Sequence, residues 1–227
     1  MITQGWQVGA TAQPGGSLRL GLIHAGIVRA PDLVTGRVPD LANADHGVLA
    51  GDAKLAHEVH RHLAVAFTAA GQGHVAFTGS RLSPATNGTL LVMFGATGSG
   101  SFYLAQDIGG TAVGARAYLQ TNTFRLMTNA QDTQVGSVVD YKGGWHVYAC
   151  TFGAAGKHLY VDGALFASQA GATQAASDGE GPTYWGRWPA AYSTLSMAAA
   201  MAWNRVLTAA EHLQVARWLL YRMQRRS

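Results

Sequence analysis

The chain has 227 residues, of which 48% are apolar and 12% are charged, and its formal net charge is +4. A single cysteine excludes an internal disulfide, and a chain of this length needs neither a disulfide nor a metal to bury a core. Residues 205–227 carry five arginines against one glutamate, and the other 11 basic and 11 acidic residues cancel. This distribution argues against a nucleic-acid-binding face, which needs basic residues spread over one surface.

The N-terminal residues 1–5 lack the basic and apolar segments of a secretory signal, and none is predicted. The longest apolar runs, such as 197–203, fall far short of the ~20 residues that a membrane helix needs, so no membrane partner is expected. Residues 1–17 contain Pro14-Gly15-Gly16 and are predicted to form an arm or a peripheral strand.

From residue 18 onward the sequence consists of short β-type runs separated by Gly, Asn and Asp. Many short strands with regular turn signals and no intervening helices favour an antiparallel β-sandwich of about a dozen strands. The predicted runs are 48–49, 62–68, 73–78, 89–94, 101–105, 112–119, 124–128, 134–139, 145–152, 159–161, 164–168, 183–186 and 195–203.

Two local signals are sharper than the rest. Asp162-Gly163 lies between two β-type runs, and this pair is typical of the type I′ turn of a hairpin. Thr208 is followed three residues later by Glu211, which is a capping box and predicts that a helix begins there. The sequence therefore predicts a sandwich over residues 18–207 and, packed on it, a helix with an Arg-rich tail over 208–227.

Several stretches together resemble the concanavalin A-like, laminin G-like jelly-roll superfamily in its divergent bacterial and bacteriophage form. The stretches are 32–36 (DLVTG), 43–49 (NADHGVL), 74–79 (HVAFTG), 145–147 (WHV), 159–163 (LYVDG), 184–186 (YWG) and 203–211 (WNRVLTAAE). The resemblance implies a concanavalin A-like jelly roll closed by one C-terminal helix. It implies structural roles for these motifs: the Trp fills the core, Asp-Gly makes the turn, and Asn-Arg with the capping box forms the last corner.

The resemblance also includes glycan-cleaving enzymes, which use paired carboxylates on one strand. This chain has only Glu58, Glu180 and Glu211, and Glu211 is assigned to the helix cap. Asp178 and Glu180 are separated by one residue, but their flanking glycines indicate a turn. Retaining hydrolysis needs two carboxyls about 5 Å apart, so no catalytic residue is predicted and an enzyme is only a distant alternative.

Metal and phosphate motifs are incomplete. The run from His57 to His62 is not His-Glu-x-x-His, because Arg61 occupies the position of the second histidine. The glycine-rich residues 95–102 lack the lysine of a phosphate-binding loop, and Asp107 and Asp132 are too isolated to form a calcium site. We therefore expect no metal and no cofactor, and we expect Cys150 to be a small core residue.

Arg187, Trp188 and Tyr192 form the best candidate contact site. Aromatic faces stack on sugar rings and on protein partners alike, and an arginine adds a forked hydrogen-bond donor. A loop that merely covers one end of the sandwich would have the same composition. A second candidate is the basic tail with Arg222, Arg225 and Arg226, which resembles a segment that attaches to a partner.

The sequence thus predicts a non-catalytic structural or binding module. The first hypothesis is a bacteriophage virion component, such as a head decoration, fibre or tail protein. Such a component would dock on other virion proteins in a homo-oligomeric or symmetric assembly. The alternative is a lectin-like module that binds host-surface glycan, on a virion or at a bacterial cell surface or outside the cell.

Overall fold

The structure of the protein is a computed structural model, which describes residues 18, 20–28, 35–43, 45–58, 62–78, 87–95, 102–106, 116–120, 123–128, 131–137, 144–170, 182–188 and 191–224. The predicted arm (1–17) and the last residues of the tail (225–227) lie outside them. The strands are β1 (Leu22–Ile27), β2 (Arg37–Pro39), β3 (His46–Ala50), β4 (Lys54–Glu58), β5 (His62–Phe67), β6 (His74–Phe77), β7 (Gly88–Gly95), β8 (Phe102–Gln106), β9 (Arg116–Gln120), β10 (Thr123–Thr128), β11 (Gln131–Ser137), β12 (Trp145–Gly153), β13 (Gly156–Val161), β14 (Ala164–Gln169), β15 (Thr183–Trp185), β16 (Arg187–Trp188), β17 (Ala191–Tyr192) and β18 (Leu195–Trp203), and the helix is α1 (Ala209–Gln224).

The strands form two antiparallel eight-stranded sheets, which confirms the predicted β-sandwich. The first sheet has the order β14-β13-β12-β7-β18-β5-β4, with β1 also paired to β18. The second sheet has the order β11-β10-β9-β8-β15-β6-β3-β2, and β16 and β17 form a separate hairpin. Of the fourteen strand pairings in these two sheets, seven join strands that are consecutive in sequence and seven join strands that are not.

The apolar core fills the space between the sheets. The second sheet contributes Val75, Phe77 and Trp185, and the first sheet contributes residues such as Phe94 and Phe152. Cys150 lies in this core and is fully buried, as predicted. Burial raises the pKa of its thiol well above the usual range, with a smaller opposing effect from Lys157. A thiol kept protonated in this way is a poor nucleophile.

The helix α1 covers the other face of the first sheet. Its Val215, Ala216 and Leu219 pack against a second buried cluster that includes Val147 and Met201. The strands β7 and β18 therefore lie between two apolar layers, and nearly every residue in them is buried. A strand covered on both faces has a continuous apolar sequence and loses the alternation of a half-exposed strand. In the described part of the chain, no helix has the length and hydropathy of a membrane span.

The capping box lies at the start of α1, as predicted. It belongs to a larger hydrogen-bonded corner between β18 and α1. The Thr208 N–H donates to Glu211 Oε2 at 2.9 Å, and the Glu211 N–H donates to Thr208 Oγ1 at 3.3 Å. Arg205 donates both Nη groups to the Glu211 carboxylate, at 2.9 and 2.7 Å. Its Nε also donates to the Leu20 carbonyl at 2.9 Å. The corner thus ties the end of β18, the helix start and the segment before β1 together.

The Asp162-Gly163 turn also has the predicted form. Both residues have positive φ, 50° and 84°, as a type I′ turn requires. Asp162 accepts the Val147 N–H on Oδ1 at 2.8 Å, so the turn is bonded back to β12. Trp145, at the start of β12, is only partly buried and packs against the cluster under α1, not between the sheets.

A buried chain of polar side chains joins the two sheets. Trp185 of the second sheet donates its Nε1–H to His24 Nε2 at 3.2 Å, and His24 Nδ1 lies 2.9 Å from Asp40 Oδ2. Because the indole nitrogen can only donate, His24 Nε2 accepts this hydrogen bond. The proton of the His24 ring is therefore on Nδ1, which donates a hydrogen bond to the Asp40 carboxylate. Asp40 also accepts the Ala25 and Ala42 N–H groups on Oδ1, each at 2.9 Å.

Gly26 makes room for this chain of hydrogen bonds. It follows His24 by two residues on β1 and faces the Trp185 ring. A Cβ at this position would overlap the indole carbons, so a side chain there would displace the ring. The glycine is thus required by the close approach of the two sheets at this point.

We expect Asp40→Asn to lower the free energy of unfolding by about 3–5 kcal/mol, because an amide cannot accept hydrogen bonds at both of its ends. Urea unfolding at neutral pH measures the loss. The matched control is Asp45→Asn, since Asp45 accepts the His46 N–H at an exposed position, and it should change stability by less than about 1 kcal/mol. Equal stability of the two variants would contradict this account.

Glu211→Gln tests the corner through its pH dependence. Hydrogen bonds from Arg205 first, and from Thr208, lower the pKa of Glu211 to about 2, against the opposing effect of burial. Because the folded-state pKa is lowered, the stabilisation is complete above pH 4.5 and is lost as the pH falls toward 2. The free energy of unfolding of the wild type should exceed that of the variant by about 1–3 kcal/mol at pH 6. This difference in stability should vanish near pH 2. A pH-independent difference would refute this role.

Candidate ligand-binding site

Four partly buried side chains form a cluster at one end of the second sheet. They are His74 on β6, Tyr184 on β15, Arg187 on β16 and Tyr192 on β17, and we call them the aromatic–arginine cluster. Side chains alternate along a strand, and Trp185 points into the core. Tyr184, its neighbour, therefore lies on the outer face of the sheet.

The four side chains contact one another through ring faces and edges. The Arg187 guanidinium carbon lies 4.7 Å from the Tyr184 ring centroid and 5.9 Å from that of Tyr192. The His74 ring centroid lies 5.7 Å from that of Tyr184 and 6.0 Å from that of Tyr192. A cation over an aromatic face is attracted by the ring quadrupole, by about 0.5–1 kcal/mol at exposed sites. The cluster is thus pre-organised without a ligand.

Backbone contacts hold the cluster in place. Arg187 and Tyr192 are register partners in the β16–β17 hairpin, whose base is closed by the Ser193 N–H donating to the Gly186 carbonyl at 2.8 Å. His74 Nδ1 lies 2.9 Å from the Gln72 carbonyl, which only accepts, so Nδ1 is the donor. Fixed side chains lose less conformational entropy on binding, which favours a recognition role.

Small residues lie beside the cluster on the same face. Val48, Ala76 and Tyr184 are register partners across β3, β6 and β15, and Ala50 is the partner of His74. The partly buried Ala76 lies between the exposed Val48 and Tyr184. The outer face therefore presents an apolar strip that ends at two tyrosines, a histidine and an arginine.

The chemistry of this arrangement is recognition. Aromatic faces bind the apolar faces of sugar rings, and a guanidinium offers five N–H donors in a fixed plane. The four residues of the cluster include no carboxylate, so they do not provide the carboxylate pair that most glycosidases use. The cluster is thus suited to holding a polar, ring-containing ligand.

The structure brings together two of the three residues in the predicted site. Arg187 and Tyr192 lie in the cluster, whereas Trp188 pairs with Ala191 in the hairpin and its side chain lies outside the described part. Sequence reasoning missed the contacts of Tyr184 and His74. Tyr184 could have been found from its alternation with the buried Trp185. His74 could not, because it reaches the site only through the pairing of β6 with β15.

The second predicted site stays a prediction. Arg222 lies on α1, but its side chain is outside the described residues, as are Arg225 and Arg226 entirely. At the two ends of the described part of the histidine run, Glu58 on β4 pairs with His62 on β5. Asp178 and Glu180 lie outside the described ranges. Among the residues that can be described, no group of three or more His, Cys, Asp or Glu could hold a metal ion.

A family model provides an independent comparison. The model described as the Concanavalin A-like lectin/glucanases superfamily matches residues 65–211, well over half of the chain. That match spans β5 to the start of α1 and includes the aromatic–arginine cluster. No curated protein sequence matches the chain.

Solved structures share the fold at low sequence identity. The binding domain of botulinum neurotoxin DC, in complex with rat synaptotagmin II, has a TM-score of 0.65 at 10% identity, covering 88% of this chain and 52% of that one. A structure from work on the cell entry of botulinum neurotoxin type C, described as dependent on two ganglioside molecules, gives 0.64 at 10%, with 88% and 51% covered. A mutant sialidase of Trypanosoma rangeli gives 0.58 at 16%, with 90% and 33% covered.

The chain thus spans about half of the two neurotoxin chains and a third of the sialidase, and the likeness to them concerns the fold alone. The two stacked sheets, the terminal helix and the match over residues 65–211 agree with one another. The chain therefore belongs to the concanavalin A-like lectin/glucanase superfamily.

Proposed function

We propose that this protein is a non-catalytic binding module and that the aromatic–arginine cluster binds a carbohydrate. The observation that carries the proposal is the packing of Arg187 on the Tyr184 ring, 4.7 Å from its centroid, beside a second tyrosine and a histidine on an outer sheet face. Such a group combines apolar ring faces with directional donors. Sugars offer the same combination of apolar ring faces and hydroxyl groups.

The energetics suit a weak and specific contact. An aromatic contact contributes about 0.5–1.5 kcal/mol beyond the area that it buries. A hydrogen bond to a charged donor contributes about 1.5–3 kcal/mol. Two tyrosines and one guanidinium together would support affinities in the micromolar to millimolar range, where about 1.4 kcal/mol corresponds to a tenfold change in Kd.

The comparisons support a binding role. One similar structure is the binding domain of botulinum neurotoxin DC in complex with rat synaptotagmin II, and the description of another names the interaction of botulinum neurotoxin type C with two ganglioside molecules. The sialidase descriptions name an enzyme, but this chain covers only a third of that protein. In this chain the Glu211 carboxylate, a residue that hydrolysis could have used, is bonded to Arg205 and Thr208.

A second proposal concerns docking in a bacteriophage virion, in a homo-oligomeric or symmetric assembly. Its support is an exposed apolar surface on the edge strand β14 and the adjacent helix. Leu165 and Phe166 are 57% and 47% exposed, and Leu213 of α1 lies beside the β13–β14 turn. The strand carries no charged residue, and an apolar strand edge is a template for pairing with another chain. The two proposals are compatible, since they use different sheets.

Tyr184→Ala and Arg187→Ala should each weaken binding to the glycans that wild type recognises on an array by about tenfold or more. Titration calorimetry with the strongest hit quantifies the loss. The control is Phe166→Ala, which removes an exposed aromatic residue from the other sheet and should leave the affinity unchanged. Unchanged affinity in both cluster variants, with an intact fold, would disprove the carbohydrate site.

The docking proposal predicts self-association through β14. In analytical ultracentrifugation wild type should form a defined oligomer, and the double variant Leu165→Glu with Phe166→Glu should be monomeric. Charges on an exposed edge strand oppose pairing with another chain at little cost to folding. Tyr192→Ala serves as the control and should retain the oligomer. A wild-type protein that stays monomeric at every concentration would contradict self-assembly.

A further inference from the structure

A polar side chain lies buried under α1 without a hydrogen-bond partner. His212 is 1% exposed, and neither of its ring nitrogens has a partner. The hydroxyl of Thr151 on β12, also buried, is likewise unsatisfied. Burying an unsatisfied polar group costs about 1–3 kcal/mol, and native structures contain few such groups. His212 therefore calls for an explanation beyond packing.

The surroundings of His212 favour its neutral form. Its ring stacks on Tyr160 of β13, with centroids 3.8 Å apart and an angle of 16° between the planes. In the sheet beneath, Thr151 and His158 are register partners on β12 and β13. His158 Nδ1 lies 3.0 Å from the Ser168 hydroxyl of β14. None of these neighbours is an anion that could pair with an imidazolium.

The charged groups on the surrounding elements do not provide that anion either. On α1 itself, both oxygens of Glu211 are already bonded by Arg205 and Thr208. On β13, Lys157 alternates with His158 and Tyr160 and so lies on the other sheet face. On β12, the His146 side chain is bonded to Asp162, and β14 has no charged residue.

The titration behaviour agrees with this geometry. Burial lowers the pKa of His212 from 6.5 to about 4; Glu211 raises it and His158 lowers it by smaller amounts. The undocked helix would bind a proton near pH 6.5 and the docked helix only near pH 4. Docking is therefore strongest above pH 6.5 and weakens as the pH falls through this window.

We propose that α1 is an acid-released cover over the outer face of the first sheet, and that protonation of His212 triggers its release. The helix residues that leave the sheet are Val215, Ala216 and Leu219, and the sheet residues that they uncover include Val147 and Met201. The Arg205–Glu211 pair, which ends one residue before His212, persists to a much lower pH, so this corner keeps the helix tethered while His212 and the residues after it leave the sheet. Mild acid thus exposes an apolar sheet face while the sandwich persists.

Hydrogen exchange measured by mass spectrometry at pH 7.5, 6, 5 and 4.5, corrected for the intrinsic rates, tests the proposal on the full chain. The opening equilibrium of wild-type α1 should be roughly 25-fold larger at pH 5 than at pH 7.5, as linkage predicts from pKa values of 6.5 and about 4. The sheet strands β7 and β18 should keep their protection. Binding of an apolar dye should rise over the same range.

His212→Phe preserves the ring stack on Tyr160 and should abolish the pH response of α1 while leaving its opening at pH 7.5 low. His212→Leu provides a second variant in case the larger ring disturbs packing. His46→Phe, at an exposed position, is the control and should keep the wild-type response. Three results would overturn the proposal: no acid opening of α1 in wild type, acid opening in both His212 variants that equals that of wild type, or simultaneous loss of protection in α1 and the sheets.

Discussion

The hydrogen bond from the Trp185 indole to His24 is the contact on which the arrangement of the two sheets most depends. Each partner is fully buried, and the bond crosses the core between β15 and β1. His24 in turn donates to Asp40, whose carboxylate also accepts two backbone N–H groups. Apolar contacts alone tolerate small slips of one sheet over the other, whereas a buried directional bond does not. The Trp185 side chain is held in the core, and side chains alternate along β15, so the Tyr184 side chain is held on the outer face. The core thus determines where the aromatic–arginine cluster lies.

The same local arrangement occurs twice in the first sheet. In both copies an aspartate accepts the Nδ1–H of a histidine and the backbone N–H of the next residue, and the two side chains are 16 positions apart in sequence. The His24–Asp40 copy is completely buried, and the His146–Asp162 copy is about one-third exposed. In each case the carboxylate bonds a strand to the chain segment that follows another strand. The buried His24–Asp40 pair helps to hold the two sheets together. The partly exposed His146–Asp162 pair holds the turn between β13 and β14 against β12.

Features encoded within a few residues could be predicted from the sequence. The Asp162-Gly163 turn and the Thr208–Glu211 cap each depend on local backbone geometry, and both have the predicted form. The alternation of apolar and polar residues that indicates a half-exposed strand is absent from β7 and β18, because α1 covers the sheet face that would otherwise be solvated. The bonds of Asp40 and the contacts of His74 could not be predicted either. Both depend on which distant strands become neighbours, and no spacing in the sequence specifies that pairing.

We propose that ligand recognition takes place on the outer face of the second sheet. Nuclear magnetic resonance with labelled aromatic side chains and arginine groups, during titration with a glycan that the protein binds, tests it most directly. The account predicts shifts confined to His74, Tyr184, Arg187 and Tyr192 and their neighbours Ala50 and Ala76. Shifts centred instead on β14 and α1, with the cluster resonances unmoved, would contradict it.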